Sequence, residues 1–413
     1  MNTKNIYDIA ILGAGAAGLI AAIAARRSGC GPSVAILEKN EKAGKKLYAT
    51  GNGRCNVLNR TATPADYRSG EGDASAFVNE VFAQCGPLQL REVFAELGLD
   101  TVEEEEGRLY PRSLQAASVV RALERGAFGP GGEGEPAELV SGFEAKSVTR
   151  GTDGLFCVTS ADGRTVLAKR LILATGGKAG IQYGSDGRGL KIAESLGHRI
   201  VKPIPALSAL VCEEADLMQK LAGVRAHGTV RLYAQEGGKE TLLAEDTGEI
   251  QFTKDAVSGI CVMNVSGYYR RKGEEKFVLA IDLMPESGEA ALAEKLAARK
   301  VRLGDYFLDA LLPERLAAAM LELPESRTAE ALAHLLKDLR FTPAASKGWK
   351  DAHTTSGGVT LEEVDAKTMG SKLVPGLYLA GEALDADGPC GGYSLTWAFA
   401  CGQIAGASAA RKE

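Results

Sequence analysis

The feature that most constrains this 413-residue chain lies in its first 38 residues. Tyr7–Leu12 (YDIAIL) is aliphatic and β-branched without alternation, and predicts a strand buried on both faces of a parallel sheet. Gly13-Ala14-Gly15-Ala16-Ala17-Gly18 follows at once, then Leu19–Arg27, small and apolar, which predicts a helix stopped at Gly29. Ser33–Glu38 (SVAILE) reads as a second strand ending in an acid. Each part has a physical job in holding a dinucleotide. Gly13 permits the tight turn, Gly15 lets backbone approach a pyrophosphate, and Gly18 lets the helix pack on the strand. The phosphates then face the free N–H groups of Ala16, Ala17 and Gly18 at the positive end of the helix. Glu38 is placed to accept hydrogen bonds from ribose hydroxyls, and its charge repels a 2′-phosphate.

Composition narrows the class. Of 413 residues 50 are Gly, about 12% against an average near 7%. Glycine is costly in chain entropy, so the excess points to backbone that turns sharply or approaches something closely. An apolar fraction of 45% excludes a disordered chain. The net charge of −5 argues against nucleic acid as a partner, which favours a basic face. The acidic run Glu103–Glu106 reads as a solvated loop or helix end. Eight cysteines include no C-x-x-C and no His at zinc spacing, so no metal site is expected, and reduced thiols in a cytoplasmic protein are. The apolar N-terminal run is broken by glycine and lacks a basic leader, so neither a signal peptide nor a membrane span is expected. Oligomeric state leaves no mark on the sequence.

After the second strand, residues 43–56 (AGKKLYATGNGRCN) are dense in glycine, cations and amides. Such a loop can follow a cofactor from ribose to diphosphate to ring, where an NAD dehydrogenase would continue with a helix. Arg170–Ala174 reads as an apolar strand with a sharp turn, Thr175-Gly176-Gly177, at its carboxyl end, the edge where open α/β sheets bind ligands. Leu377–Ala380 is another short strand, followed by Gly381 and an acid, Glu382 or Asp385. Gly391-Gly392-Tyr393 leads into Ser394–Ala409, a helix of small residues whose N-terminus can stabilise an anion.

The segments K-K-L-x-A-T-G-N-G-R-C-N (45–56), Gly107–Ser113, Leu171–Gly177, Gly184–His198, Thr355–Val359 and Gly376–Ala405 resemble the BaiN-like flavoproteins, which include aminoacetone oxidase-like proteins and bile-acid pathway reductases. The resemblance covers nearly the whole chain; Gly126–Pro136 is a longer loop than the family carries. It implies FAD, held non-covalently. The contacts implied are Gly13, Gly15, Ala16, Ala17, Gly18, Glu38 and Lys39, and Lys45, Lys46, Gly51, Asn52, Gly53, Arg54 and Asn56 in the loop. Ala145, Thr175, Gly176, Gly177, Gly357, Gly381, Glu382, Gly392 and Tyr393 complete the set.

The fold class expected is α/β, a Rossmann-type FAD-binding domain of the two-dinucleotide-binding flavoprotein class with an insertion. Residues 1–196 and 350–413 form the discontinuous FAD domain. Residues 197–285 alternate at strand length and predict a β-rich substrate domain. Residues 286–349 carry helical periodicity at 288–298, 305–311, 314–321 and 328–336, broken at Pro313 and Pro324, and predict a small helical domain.

For the chemistry, three residues are candidates. Tyr393 can donate a proton to an enone oxygen or merely pack its ring. Arg54 can stabilise an enolate or contact phosphate. His353, just before the T-S-G-G-V segment, can move a proton or serve structure. Cys55 and Cys390 read as packing, and no Ser/His/Asp triad is discernible. No second strand, G-x-G-x-x-G and acid occur together, so NAD(P)H, as reductant, would dock transiently. By resemblance the activity expected is NAD(P)H-linked reduction of a conjugated C=C bond in a 3-oxo steroid of bile-acid type. A flavin amine oxidase producing peroxide is the alternative, and a flavin-binding RNA-modification protein a third.

Overall fold

The parallel strands that carry the site are built from uninterrupted Val, Ile, Leu and Ala. In this computed structural model, which describes residues 6–28, 31–130, 134–269, 276–323 and 328–411, they are buried on both faces. Gly29, Pro324 and the middle of the Gly126–Pro136 loop lie outside the described residues. The chain divides into two compact units, Met1–Ile204 with Thr354–Glu413, and Pro205–His353.

The first unit is organised by a seven-stranded sheet: β1 (Ile6–Leu12), β2 (Val34–Leu37), β3 (Glu138–Val140), β4 (Ala145–Arg150), β5 (Phe156–Ser160), β6 (Thr165–Leu173) and β7 (Leu377–Leu379). The order is β3-β2-β1-β6-β5-β4, with β7 also paired to β6. Leu12 lies opposite both Leu37 and Leu173, and Leu173 opposite Leu379, so four parallel strands end in register. Their carboxyl edge is where the glycine turns gather. Helix α1 (Ala16–Arg26) and the C-terminal helix (Tyr393–Ala409) pack almost backbone to backbone. A Cβ at Gly402 would sit 2.3 Å from the Ala17 carbonyl oxygen, and one at Gly406 2.1 Å from that of Ala21.

The second unit is a seven-stranded antiparallel sheet. Its long hairpin, Arg225–Glu236 with Lys239–Phe252, turns at Gly237-Gly238. Helices Glu289–Leu303, Glu314–Glu322 and Ala329–Lys337 bury Leu292, Leu296, Leu316, Met320 and Leu336 in the same core as Leu232, Leu279 and Phe341 from the sheet. No boundary between cores falls at 285/286, because neither the sheet face nor the helices could cover their apolar surface alone. Residues 305–311 do not form the expected α-helix: Gly304 leaves helical geometry and Ala310 is left-handed, which confines the segment to a short 3₁₀ turn and bends.

Candidate functional site

The site is assembled from backbone turns at the carboxyl edge of the parallel strands. Gly13 has φ +99°, and a Cβ there would meet the Ala174 carbonyl oxygen at 2.6 Å. A Cβ at Gly18 would stand 1.9 Å from the Gly13 oxygen. At Gly15, by contrast, a Cβ would meet no atom beyond its chain neighbours within 4 Å. Gly15 caps α1 without a side chain, and no acid stands in the first turn, so the helix offers its N–H groups to an anion. Glu38, 8% exposed, accepts from the Ala14 N–H at 2.8 Å and from the Asn40 N–H and side-chain amide at 2.8 and 2.6 Å. The acid at the end of β2 therefore also ties down the glycine turn. Lys39 pairs with Asp186 at 2.9 Å, and Lys45 Nζ lies 3.4 Å from Asn40 Oδ1. Ala145 opens β4, two residues after Phe143, whose N–H bonds the Glu38 carbonyl at 2.8 Å.

A second cluster joins four sequence-distant turns. Lys46 pairs with Glu382 at 2.8 Å. The other oxygen of Glu382 accepts from the Thr355 N–H at 2.9 Å and from its hydroxyl at 2.8 Å. Thr355 Oγ1 in turn accepts from the N–H groups of Lys178 and Ala179 at 2.7 and 3.0 Å. Thr175, Gly176, Gly177, Gly381 and Glu382 are thereby fixed to the strand carrying Gly357, where φ is +99° and a Cβ would meet the Lys202 oxygen at 2.6 Å. Asp385 instead holds the Gly70 N–H at 2.8 Å, so of the two acids after β7 it is Glu382 that reaches the turns.

The loop of Gly51, Asn52 and Gly53 is left-handed at all three positions, and Cys55 joins them with φ +59°. Arg54 pairs with Glu104 at 2.9 Å and lies 4.3 Å over the Tyr110 ring. The acidic run is exposed at all four positions, as expected of a solvated loop, and carries surface ion pairs, Arg60 with Glu103 at 2.8 Å and Arg108 with Glu106. Burial, against a lesser pull from the Thr50 hydroxyl, pushes the Cys55 thiol up to about 11, and it stays protonated at neutral pH. Asn56 Oδ1 is buried without a hydrogen-bond partner.

Tyr393 is the first residue of the C-terminal helix, capped by Gly392 at φ +96° with no acid in its first turn. Its ring packs on that of Tyr67, with 6.2 Å between centroids. Burial first, and then Asp66, raise its pKa above the ordinary phenol value, while the Thr61 hydroxyl pulls it down. A cavity of about 350 Å³ lined by Glu104, Glu105 and Arg108 lies on this side, with Arg108 near enough for its charge to act on the phenol. No contact joins Arg54 to Tyr393 among those the structure shows. His353 is exposed and is the last residue of the second unit, with its N–H on the Leu207 oxygen at 3.3 Å.

Several polar residues were invisible to motif reading. Ser356, fully buried, donates to Asp387, which pairs with Arg68 at 2.7 Å. Asn59, 1% exposed, accepts from the Thr61 N–H and hydroxyl and donates to the Gly391 and Glu106 oxygens. Ser371, His198 and Glu363 do have triad connectivity, each link 2.9 Å. The Ser371 oxygen already accepts the Leu373 and Val374 N–H groups, so the arrangement is a buried clasp with no free nucleophile. Among the described residues no group of three His, Cys, Asp or Glu is placed to hold a metal, and no helix is long and apolar enough to cross a membrane.

These features fit a flavin dinucleotide. The cradle at Gly15 would be filled by any Cβ, two helix N-termini are free of acids, and Asn56 offers a buried acceptor awaiting a donor.

Comparison with known proteins agrees. The family model described as HI0933-like protein Rossmann domain matches residues 7–408. A 3-dehydro-bile acid delta(4,6)-reductase of Clostridium scindens is 37% identical over 98% of this chain and 99% of its own length. A ribosomal RNA dihydrouridine synthase of Haemophilus influenzae is 28% identical over 97% and 98%. A solved 3-ketosteroid delta1-dehydrogenase from Sterolibacterium denitrificans, covering 98% of this chain and 99% of that one at 13% identity, has the same fold with a TM-score of 0.51.

Proposed function

Since the chain belongs to the HI0933-like family of Rossmann flavoproteins and is an FAD-dependent oxidoreductase, we propose that it reduces a C=C bond conjugated to the ketone of a 3-oxo steroid of bile-acid type, with NAD(P)H as donor. The observation that carries the reading is the 37% identity to the bile-acid reductase, which runs through the inserted unit as well as the FAD unit. Substrate choice resides in sites grafted on a fold, so agreement along the whole length counts for more than a shared Rossmann core.

When bound, FAD supplies hydride chemistry; the rest falls to side chains. The Gly13–Gly18 turn and the first turn of α1 would hold the pyrophosphate, and Glu38 the adenosine ribose. The Lys46–Glu382–Thr355 cluster would fix the turns around the ring. Tyr393, like any phenol, keeps its proton through the neutral range, and burial raises its pKa further. Its Oη is the proton donor to the substrate, a role worth about 10²–10⁴ in rate. Arg54 would oppose charge developing on the substrate oxygen, and His353 is a third proton-transfer candidate. With free thiols at every described cysteine, a reducing cytoplasm is the setting proposed.

The test is anaerobic. Holoprotein reduced with dithionite is mixed with a 3-oxo-4,6-diene steroid acid. The reading expects the oxidised flavin spectrum to return and a product heavier by the two hydrogens added. Failure of the steroid, with peroxide formed from aminoacetone in air, would establish the amine-oxidase alternative instead. A second reading is favoured by the dihydrouridine synthase at 28% identity. The ring bond that distinguishes uridine from dihydrouridine is also conjugated to a carbonyl. Reoxidation by a ribosomal RNA fragment, and not by the steroid, would select it, against the expectation from net charge that nucleic acid is no partner.

A further inference from the structure

The C-terminal helix begins where three sequence-distant segments of the FAD unit meet, and one side chain joins them. Asn59 ends the short strand Leu58–Asn59 and is 1% exposed. Its amide nitrogen donates to the Gly391 oxygen at 2.8 Å and to the Glu106 oxygen at 3.1 Å. Its amide oxygen accepts from the Thr61 N–H at 2.9 Å and from the Thr61 hydroxyl at 2.8 Å. Two carbonyls on one side and an N–H on the other fix which amide atom is the nitrogen, and both of its hydrogens are used. The Asn59 backbone N–H bonds Thr396 Oγ1 at 3.0 Å, and Thr396, fully buried, donates that hydroxyl to the Gly392 oxygen at 3.0 Å.

The consequence lies in the peptide planes. Gly391 and Gly392 precede Tyr393, the first helical residue, and the peptides of the described residues are trans. In a trans peptide the C=O and the N–H that follows it point in opposite directions. Holding the Gly391 oxygen on Asn59 therefore turns the Gly392 N–H away from Asn59. Holding the Gly392 oxygen on Thr396 likewise turns the Tyr393 N–H away from Thr396. Gly392 is left-handed, with φ 96° and ψ −7°, and Tyr393 is helical, the succession that gathers neighbouring N–H groups into one anion-binding concavity. Among the described residues neither N–H finds an acceptor, and no side chain caps the helix. The turn is also seated on the loop before Asn59: a Cβ at Gly392 would lie 2.8 Å from Asn56 Oδ1, the buried oxygen without a partner, and 2.8 Å from the Leu58 oxygen. Outward N–H donors beside one buried acceptor match the pyrimidine edge of a flavin, where a carbonyl oxygen adjoins an N–H.

We propose that Asn59, together with Thr396, positions the N–H groups of Gly392 and Tyr393 against the pyrimidine edge of FAD and thereby raises the potential of the bound cofactor. Each side chain acts through a peptide group. Fixed donors oppose the negative charge that the ring gains on reduction, and they favour the reduced form over the neutral oxidised one. The proposal takes from the preceding reading only the placement of FAD at these glycine turns; the substrate does not enter it.

The test compares wild type, Thr396→Val, Thr396→Ser and Asn59→Asp as FAD holoproteins without substrate. Affinity for oxidised FAD is measured by flavin fluorescence, and the midpoint potential by anaerobic equilibration with a reference dye. Thr396→Val keeps the shape and removes the hydroxyl between Asn59 and Gly392. It is expected to weaken reduced FAD about tenfold more than oxidised FAD, which lowers the midpoint potential by about 30 mV. Asn59→Asp sets an oxygen against the Gly391 and Glu106 carbonyls, and a larger shift in the same direction is expected. Thr396→Ser restores the hydroxyl and should keep the ratio of the two affinities within about twofold of wild type. A merely structural clamp would weaken both forms alike, so an unmoved potential in Thr396→Val, with FAD affinity lowered or not, would overturn the proposal. If Asn59→Asp does not fold, the Val and Ser variants at position 396 decide. Wild-type FAD at the potential of free FAD, the same in every variant, would overturn the placement of the ring at this helix as well. Inactivity toward the steroid changes none of these readings and bears on the proposed function alone.

Discussion

Glycine serves opposite purposes at the closely packed turns and helix contacts of the FAD unit and at the hairpin tip of the inserted unit. At Gly13, Gly18, Gly402 and Gly406 of the first, a single methyl would strike a backbone oxygen at between 1.9 and 2.6 Å. At Gly237 and Gly238, the hairpin tip of the second, a methyl would meet nothing within 4 Å, and only the positive φ asks for glycine. The inserted unit is held instead by side chains: an apolar core shared by sheet and helices, and a buried ion pair, Asp282 with Lys337 at 2.6 Å. Where backbone itself forms the binding surface, sequence variation is forbidden locally. Where side chains fill a core, it is merely constrained in volume and charge.

Graded substitutions put numbers on this contrast. The largest effect is expected at Gly18→Ala, about 4 kcal/mol in urea unfolding of the apoprotein with loss of detectable FAD binding, since no side-chain shift can relieve a clash with the Gly13 oxygen. Lys337→Met should cost about 3 kcal/mol by leaving Asp282 buried and unpaired. FAD affinity, measured by flavin fluorescence, should stay within about twofold of wild type, because no FAD residue lies in that core. An equal loss of affinity there would break the division of labour. Glu382→Gln keeps the shape and removes the charge that Lys46 and Thr355 share. It should weaken FAD about tenfold and cost about 1–2 kcal/mol. Gly237→Ala should be the mildest, about 1 kcal/mol from its left-handed backbone alone.

The same contrast explains what the sequence disclosed. Strand β1, the glycine turn, α1 and Glu38 were legible because they form one contiguous pattern, in which Gly18 packs on the Gly13 oxygen and Glu38 holds the Ala14 N–H. The C-terminal helix was legible from its own run of small residues, although the partners that demand them, Ala17 and Ala21, lie at the other end of the chain. In the inserted unit, alternation revealed the β-rich character, and Lys239–Phe252 runs as one continuous strand because Gly248 sits opposite Gly228 inside the ladder and no turn forms. The helix expected at 305–311 failed on two backbone angles that composition does not encode. Among site residues, the motif glycines and Glu382 were readable. Thr355, Asn59, Thr61 and Asp387 were not: a threonine that bonds Glu382, Lys178 and Ala179, or an asparagine that bonds Gly391, is an ordinary polar residue until tertiary structure supplies partners between 27 and 332 positions away. Arg54 illustrates the converse. Its motif was read, but its pairing with Glu104 and Tyr110 was not.

Gly15, proposed to face the pyrophosphate, is a position where cofactor binding can be separated from folding. Its φ of −84° suits any residue, and a Cβ there would have no atom beyond its chain neighbours within 4 Å. Gly15→Val should therefore leave the unfolding midpoint of the apoprotein within about 1 °C of wild type, since less than about 0.5 kcal/mol is at stake, while flavin fluorescence titration shows FAD affinity lowered at least a hundredfold. Undiminished FAD binding by Gly15→Val would contradict the placement of the dinucleotide on this turn.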